Sequence, residues 1–286
     1  MIWRNRYTDV NYSRMIRLFV GRACRAGALA LLAVASLVSP RLADAGPVAD
    51  RVQATKAIRV CIWPEYYGIS FRNPRSQQLE GIDIDLSNEY ARDIGARLEY
   101  IESSFAKVIP DLLDDRCDVA MFAVGITAQR QQSLNFTQPY LQSDIYGMTT
   151  RASRSIKSWD DIDKPGIRVA VQAGTFMEPV MAVALKQAKL VVIRPPLTRE
   201  QELESGRVDV FMTDYPYSRR LMASVDWVRL VSPPKPFNLI PYAYAVKPGD
   251  LHWLAQVDQF VSRIKADGRL EKAARKYGLS DILVAK

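Results

Sequence analysis

From residue 57 onward the sequence alternates short β-branched runs with stretches of helical period, and it does so twice. IRVCIW (58–63), RLEYIES (97–103) and DVAMFAV (118–124) read as strands, with DLSNEYARDIG and KVIPDLLDD as the helices between them. After the turn-rich RASRSIKSWDDIDKPG, the runs RVAVQ (168–172), LVVIRP (190–195) and VDVFMTD (208–214) repeat that order around TFMEPVMAVALKQA and TREQELESG. Parallel strands need crossover connections, and helices serve that purpose while covering the sheet faces. The pattern therefore predicts an α/β chain of two lobes, each a mostly parallel sheet flanked by helices. PYAYAVKPGD adds one strand, and LHWLAQVDQFVSRIKADG and RLEKAARKYG read as amphipathic helices stopped by Gly268 and Gly278. One strand and two helices do not make a third domain, so they return to the first lobe. The expected division is 46–142 and 241–286 for lobe 1 and 143–240 for lobe 2. The chain then crosses between lobes near 140–146 and again near 238–243, which makes a two-segment hinge.

Residues 1–45 have the parts of a cleavable export signal: Arg14, Arg17, Arg22 and Arg25, an apolar run from Ala26 to Val38, and Ala43-Asp44-Ala45 as a small-x-small site. A membrane span needs about 20 apolar residues, more than this run supplies. Met15 would serve as well as Met1 for the start of such a signal. The remainder keeps 32 of the 39 Lys and Arg and 29 of the 31 Asp and Glu, a net charge of +3 instead of the formal +8. Nucleic acid is thus not an expected partner. Export implies a periplasmic, oxidising location, in which Cys61 and Cys117 remain. One lies inside a strand and the other just before a neighbouring strand, so they are expected as two buried thiols beyond the ~7 Å that a disulfide spans. His252 is the only histidine, and no cluster of metal-ligand type occurs, so neither metal nor cofactor is expected.

GITAQRQQSLNFTQPY (125–140) places Arg130 three residues after Thr127, a good helix N-cap at the carboxyl end of a strand. Ligands of open α/β sheets bind at that edge. An arginine at the start of a helix opposes the helix dipole, and it suits a bound carboxylate, which the guanidinium grips with two parallel N–H bonds. A solvated arginine on a helix end explains the spacing equally well. Asp214 ends the corresponding strand of the second half, where it would hold an ammonium or cap the helix entered through Pro216. Arginine in one lobe facing aspartate in the other fits a zwitterion, the chemistry of an α-amino acid.

GIDIDL (81–86), FAKVIPDLLDDRCDVAM (105–121), TAQRQQSLNFTQPY (127–140), VAVQAGT (169–175), SGRVDVFMTDYP (205–216) and KADGRL (265–270) together resemble the bacterial extracellular solute-binding proteins of family 3. The resemblance spans about 57–280 and implies a type II periplasmic-binding-protein fold. It implies a monomeric receptor that closes on an amino acid and delivers it to a membrane ABC permease, without catalysis. A sensor kinase is the alternative partner. By the same resemblance Arg130 holds the ligand α-carboxylate, helped by main-chain groups near Gly125 and Thr127. Thr175 also meets the carboxylate, Asp214 meets the α-ammonium, and the Tyr66 ring covers the ligand side chain.

Two departures touch that pocket. Tyr66-Tyr67-Gly68-Ile69 stands where relatives often carry Tyr-Pro-Pro-Phe, and Gly125 replaces a Thr or Ser. Cyclohexadienyl dehydratase, a periplasmic lyase acting on prephenate or arogenate, resembles the same family and has a glutamate in the second-lobe turn. Glu178 lies at about that place, although Thr175-Phe176-Met177-Glu178 also reads as a capping box. Trp63, Phe105, Tyr67 and Tyr215 are core or cleft candidates, and Arg219-Arg220 reads as a solvated face.

Overall fold

The computed structural model describes residues 46–284, so the expected export signal lies outside the described residues. Helix α1 (Pro47–Thr55) leads into β1 (Ala57–Ile62), whose side chains are nearly all buried. A small sheet follows from β2 (Glu65–Tyr66), β3 (Ser70–Arg72) and β4 (Leu79–Glu80), short pieces whose pattern gave no strand signal. Helix α2 (Ile82–Asp93), β5 (Arg97–Glu102), α3 (Val108–Leu113) and β6 (Val119–Gly125) complete the expected alternation. Helix α4 (Ala128–Gln131), β7 (Asn135–Phe136) and β8 (Leu141–Ser143) end the first passage.

The second lobe runs through β9 (Tyr146–Thr150), β10 (Arg168–Gln172), α5 (Met177–Ala184), β11 (Lys189–Ile193), α6 (Arg199–Glu204), β12 (Val210–Thr213), α7 (Tyr215–Ser224) and β13 (Val228–Val231). The chain then returns as β14 (Ile240–Val246), α8 (Leu251–Ala266) and α9 (Arg269–Tyr277), the last stopped by Gly278 in the left-handed region at φ 69°. The first sheet has the order β5-β1-β6-β14-β7, with β8 also on β14, and the second β11-β10-β12-β9-β13. In each, three strands are parallel and the added strands antiparallel.

The same clamp starts both sheets. Arg59, the third residue of β1, donates its backbone N–H to Asp118 Oδ2 at 2.7 Å and its guanidinium to Oδ1 at 2.7 Å. Arg168 opens β10 and makes the corresponding bonds to Asp209 at 2.8 and 2.9 Å. The clamps fix parallel register, Val60 opposite Val119 and Val169 opposite Val210. The first also corrects the expectation for the cysteines. Asp118 N–H bonds the Arg59 carbonyl at 2.8 Å, drawing the chain before β6 alongside β1. Cys117 thereby stands with its Cα 5.6 Å from that of Cys61, and the two form a disulfide instead of two thiols.

Asp83, in the first turn of α2, joins the parts of lobe 1 that carry the cleft. It accepts from Ala123 N–H at 2.9 Å, from the Tyr140 hydroxyl at 2.5 Å and from the Tyr244 hydroxyl at 3.0 Å. Ala123 is held at φ 50°, where β6 and β14 shift register. Asp144 joins the two crossings: its carboxylate accepts from the N–H groups of Ile145, Phe237 and Asn238 at 2.6–2.7 Å.

Candidate functional site

The carboxyl ends of β6 and β12 face each other across the cleft between the lobes. Thr127 caps α4 as its sequence suggests, with Oγ1 accepting from Arg130 N–H at 3.1 Å. The helix is a single turn of four residues, however, so little of the expected backbone dipole is present and the guanidinium itself dominates. Arg130 is only 5% exposed. Its Nη1 donates to the Gly125 carbonyl at 2.9 Å and its Nη2 to the Gly174 carbonyl of the other lobe at 3.0 Å. The Phe105 ring centroid lies 5.4 Å from the guanidinium carbon. A guanidinium has five N–H donors, and among the described residues no carboxylate meets these. Burial without an acid pulls its pKa down to about 10. A solvated helix-end arginine is thereby ruled out.

Gly125 is explained by what surrounds it. A Cβ there would stand 3.1 Å from Ile240 Cδ1 and 3.4 Å from Phe176 Cδ1, both packed beside the arginine. Gly174 is held at φ 75°, and a Cβ would lie 2.5 Å from the Ala106 backbone across the cleft. The lobes approach that closely only because the residue is glycine.

Asp214, fully buried, caps α7 by accepting from Tyr217 N–H at 3.2 Å. Its Oδ2 also accepts from the hydroxyls of Tyr66, of lobe 1, and of Tyr242, on the return strand, the latter at 2.7 Å. Burial raises the Asp214 pKa above the usual carboxylate range, against the lowering effect of those donors. Tyr66 therefore does more than present a ring: it bonds across the lobes to the acid. Tyr242 was not singled out in the sequence, where it reads only as an inward position of a strand.

Thr175 is buried at the cleft, but its hydroxyl donates to the Gln172 carbonyl at 2.8 Å. It does not cap α5, whose N-cap is Phe176, so the expected capping box is absent. The Glu178 Oε2 instead accepts from the N–H of Gly174, one residue before Thr175, at 2.8 Å. Trp63, Tyr66, Phe105, Thr175, Arg199 and Asp214 line a cavity of about 20 Å³, room for about one water. Tyr67 instead stacks on Phe71, and the Tyr215 hydroxyl bonds Asp281 at 2.8 Å, so neither lines it. Larger hollows of about 660 and 880 Å³ lie on the outer face of lobe 1 and contain none of these residues. Among the described residues no group of three or more His, Cys, Asp or Glu side chains is placed to hold a metal ion, and no helix is long and apolar enough to cross a membrane.

The cyclohexadienyl dehydratase of Pseudomonas aeruginosa is 28% identical to this chain over 244 residues, 85% of this chain and 90% of the enzyme. The ABC transporter glutamine-binding protein of Bacillus subtilis is 25% identical, over 72% of this chain and 75% of its own. Among solved structures, an ancestral amino acid-binding protein, a precursor of cyclohexadienyl dehydratase, superposes with a TM-score of 0.72 at 28% identity, covering 80% of this chain and 98% of that one. The two-lobe architecture is thus that of the type II periplasmic amino-acid-binding proteins. The family model for bacterial extracellular solute-binding proteins, family 3, matches residues 58–280, and the chain belongs to that family.

Proposed function

We propose that this protein is an exported periplasmic receptor that captures a small α-amino acid between its lobes and presents the closed form to an ABC permease. The carrying observation is Arg130, a guanidinium buried where both lobes meet, whose acceptors are two carbonyls. A buried charge without a partner costs several kcal/mol, and a ligand carboxylate supplies the missing partner with two-pronged geometry. In this reading the carboxylate displaces the Gly174 carbonyl from Arg130, and main chain near Gly125 and Thr127, with Thr175, supports it. Asp214 takes the ammonium in exchange for one tyrosine hydroxyl, and the Tyr66 ring closes over the side chain. The cavity has room for about one water, so a ligand enters only when the lobes part. Lobe boundaries at 142/143 and 240/241 fit that motion, because Asp144 ties the two crossings there. The relatives that bind amino acids in ABC transport support the ligand class and the permease partner.

Calorimetric titration of Arg130→Ala tests this. Losing the carboxylate's partner lowers affinity by about 3–5 kcal/mol, two decades or more. Unchanged affinity removes Arg130 from the site and the reading with it.

The likeness to a dehydratase raises a lyase as the second reading, with Glu178 as the candidate acid. Against it, the Glu178 carboxylate is engaged by Gly174 N–H at 2.8 Å. A lyase would turn over prephenate and lose that activity in Glu178→Gln. The receptor gives no turnover.

A further inference from the structure

The cleft holds a second buried guanidinium that an ordinary amino acid does not use. Arg199 opens α6, which Thr198 caps through Gln201 N–H at 3.2 Å, and only 3% of it is exposed. Its Nη1 donates to the Met212 carbonyl at 2.9 Å. The guanidinium carbon lies over the Tyr217 ring at 4.4 Å and over that of Phe211 at 5.1 Å, both measured to the ring centroid. It lines the same cavity as Tyr66 and Asp214.

None of the acids around it forms an ion pair with it. Glu200 is engaged by the Tyr217 hydroxyl at 2.6 Å. Asp214 is filled by two tyrosine hydroxyls and a backbone N–H. Glu65, across the cleft, is exposed at the edge of lobe 1 and acts on Arg199 only at longer range. Of the two buried guanidinium groups at the cleft, Arg199 lines the cavity beside Asp214 while Arg130 lies outside its lining, and Glu200 and Glu65 act on Arg199 only through space. An α-amino acid with a neutral side chain pairs its own carboxylate with Arg130 and its ammonium with Asp214, leaving Arg199 with the Met212 carbonyl and no hydrogen-bonded carboxylate, although Glu200 and Asp214 favour its charge from a distance. A cationic side chain makes the imbalance worse.

We propose that Arg199 is a specificity-determining residue that binds a second acidic group, so that the preferred ligand is a small α-amino acid with an anionic side chain. This rests on the receptor reading and adds the side-chain class to it. The ligand's two anionic groups and one ammonium then answer the two guanidinium groups and Asp214 one for one. A buried guanidinium stacked on aromatic rings suits a planar carboxylate better than an ammonium would.

The test is calorimetric titration of the purified protein with L-aspartate, L-glutamate, L-glutamine and L-arginine, repeated in Arg199→Gln, Arg199→Lys and Arg130→Ala. The expected result is that aspartate or glutamate binds at least about tenfold more tightly than glutamine or arginine. Arg199→Gln abolishes that preference while leaving glutamine within about twofold of its wild-type affinity, and Arg199→Lys keeps part of it. Preferential binding of glutamine or arginine by the wild type overturns the inference while leaving the receptor reading intact, provided Arg130→Ala abolishes it. Equal loss of all four ligands in Arg199→Gln, with a lowered melting temperature, assigns Arg199 a packing role and overturns the inference. Binding of none of the four by the wild type overturns it as well, and the dependence of any other ligand on Arg130 then judges the receptor reading separately.

Discussion

Asp83 and Asp214 are both carboxylates sealed from water, and both are held by pairs of tyrosine hydroxyls. Burial pushes the Asp83 pKa up to about 7, despite the three donors that favour its ion. The folded protein therefore keeps a proton on Asp83 that the unfolded chain has lost above about pH 4. Between pH 4 and 7 the native state binds more protons, so this residue makes stability fall as pH rises. Denaturant unfolding at pH 4.5 and 8 should show Asp83→Asn losing ground to wild type at the lower pH and recovering a few kcal/mol of the difference at the higher. A difference independent of pH would mean that Asp83 stays ionised throughout. The sequence shows Asp83 inside GIDIDL but not its role, because Tyr140 and Tyr244 are 57 and 161 residues away. Arg130 and Asp214 were legible because each follows a strand and stands at a helix start. Arg199 was not, since one arginine in TREQELESG looks like any solvated helix residue.

The elements that bring those residues together are a turn and a hinge. Gly174 gives the β10–α5 turn a positive φ and lets it touch the backbone at Ala106. Gly174→Ala should hold the lobes apart, enlarge the radius of gyration in small-angle scattering, and lower ligand affinity by about tenfold or more. Scattering identical to wild type, with or without ligand, would show that this contact does not govern closure. Asp144→Ala leaves three backbone N–H groups of the crossings without their acceptor, at about 1–3 kcal/mol each. Hydrogen exchange at Phe237 and Asn238 should quicken while the two sheets keep their protection. The parallel strands were readable because buried strands are near-continuous apolar runs, and RVAVQ coincides with β10. The antiparallel β9 and β13 were not readable, being short pieces whose partners are distant in the chain.

At the scale of the molecule, two sheets built from one repeated unit are joined by two crossings, and the repeat extends to the Arg59–Asp118 and Arg168–Asp209 clamps. The sequence displays both pairs, yet an arginine and an aspartate 59 or 41 residues apart mean nothing until strand register places them side by side. The disulfide stayed hidden for the same reason. It ties residues 56 apart, and in the chain-entropy account a loop of that length stabilises the fold by about 4 kcal/mol. Cys61→Ala with Cys117→Ala should lower the unfolding free energy by roughly that amount, and reductant should do the same to wild type. An unchanged midpoint under reductant would show that the bridge adds nothing. The most direct test of a receptor that closes on a carboxylate is the melting temperature of wild type and of Arg130→Ala against the common amino acids. A ligand at 100 times its dissociation constant stabilises the fold by about 2.7 kcal/mol, a rise of a few degrees at this size. Wild type should show such a rise with one group of amino acids, and Arg130→Ala with none. Equal shifts in both proteins, or no shift with any amino acid, would contradict the receptor reading.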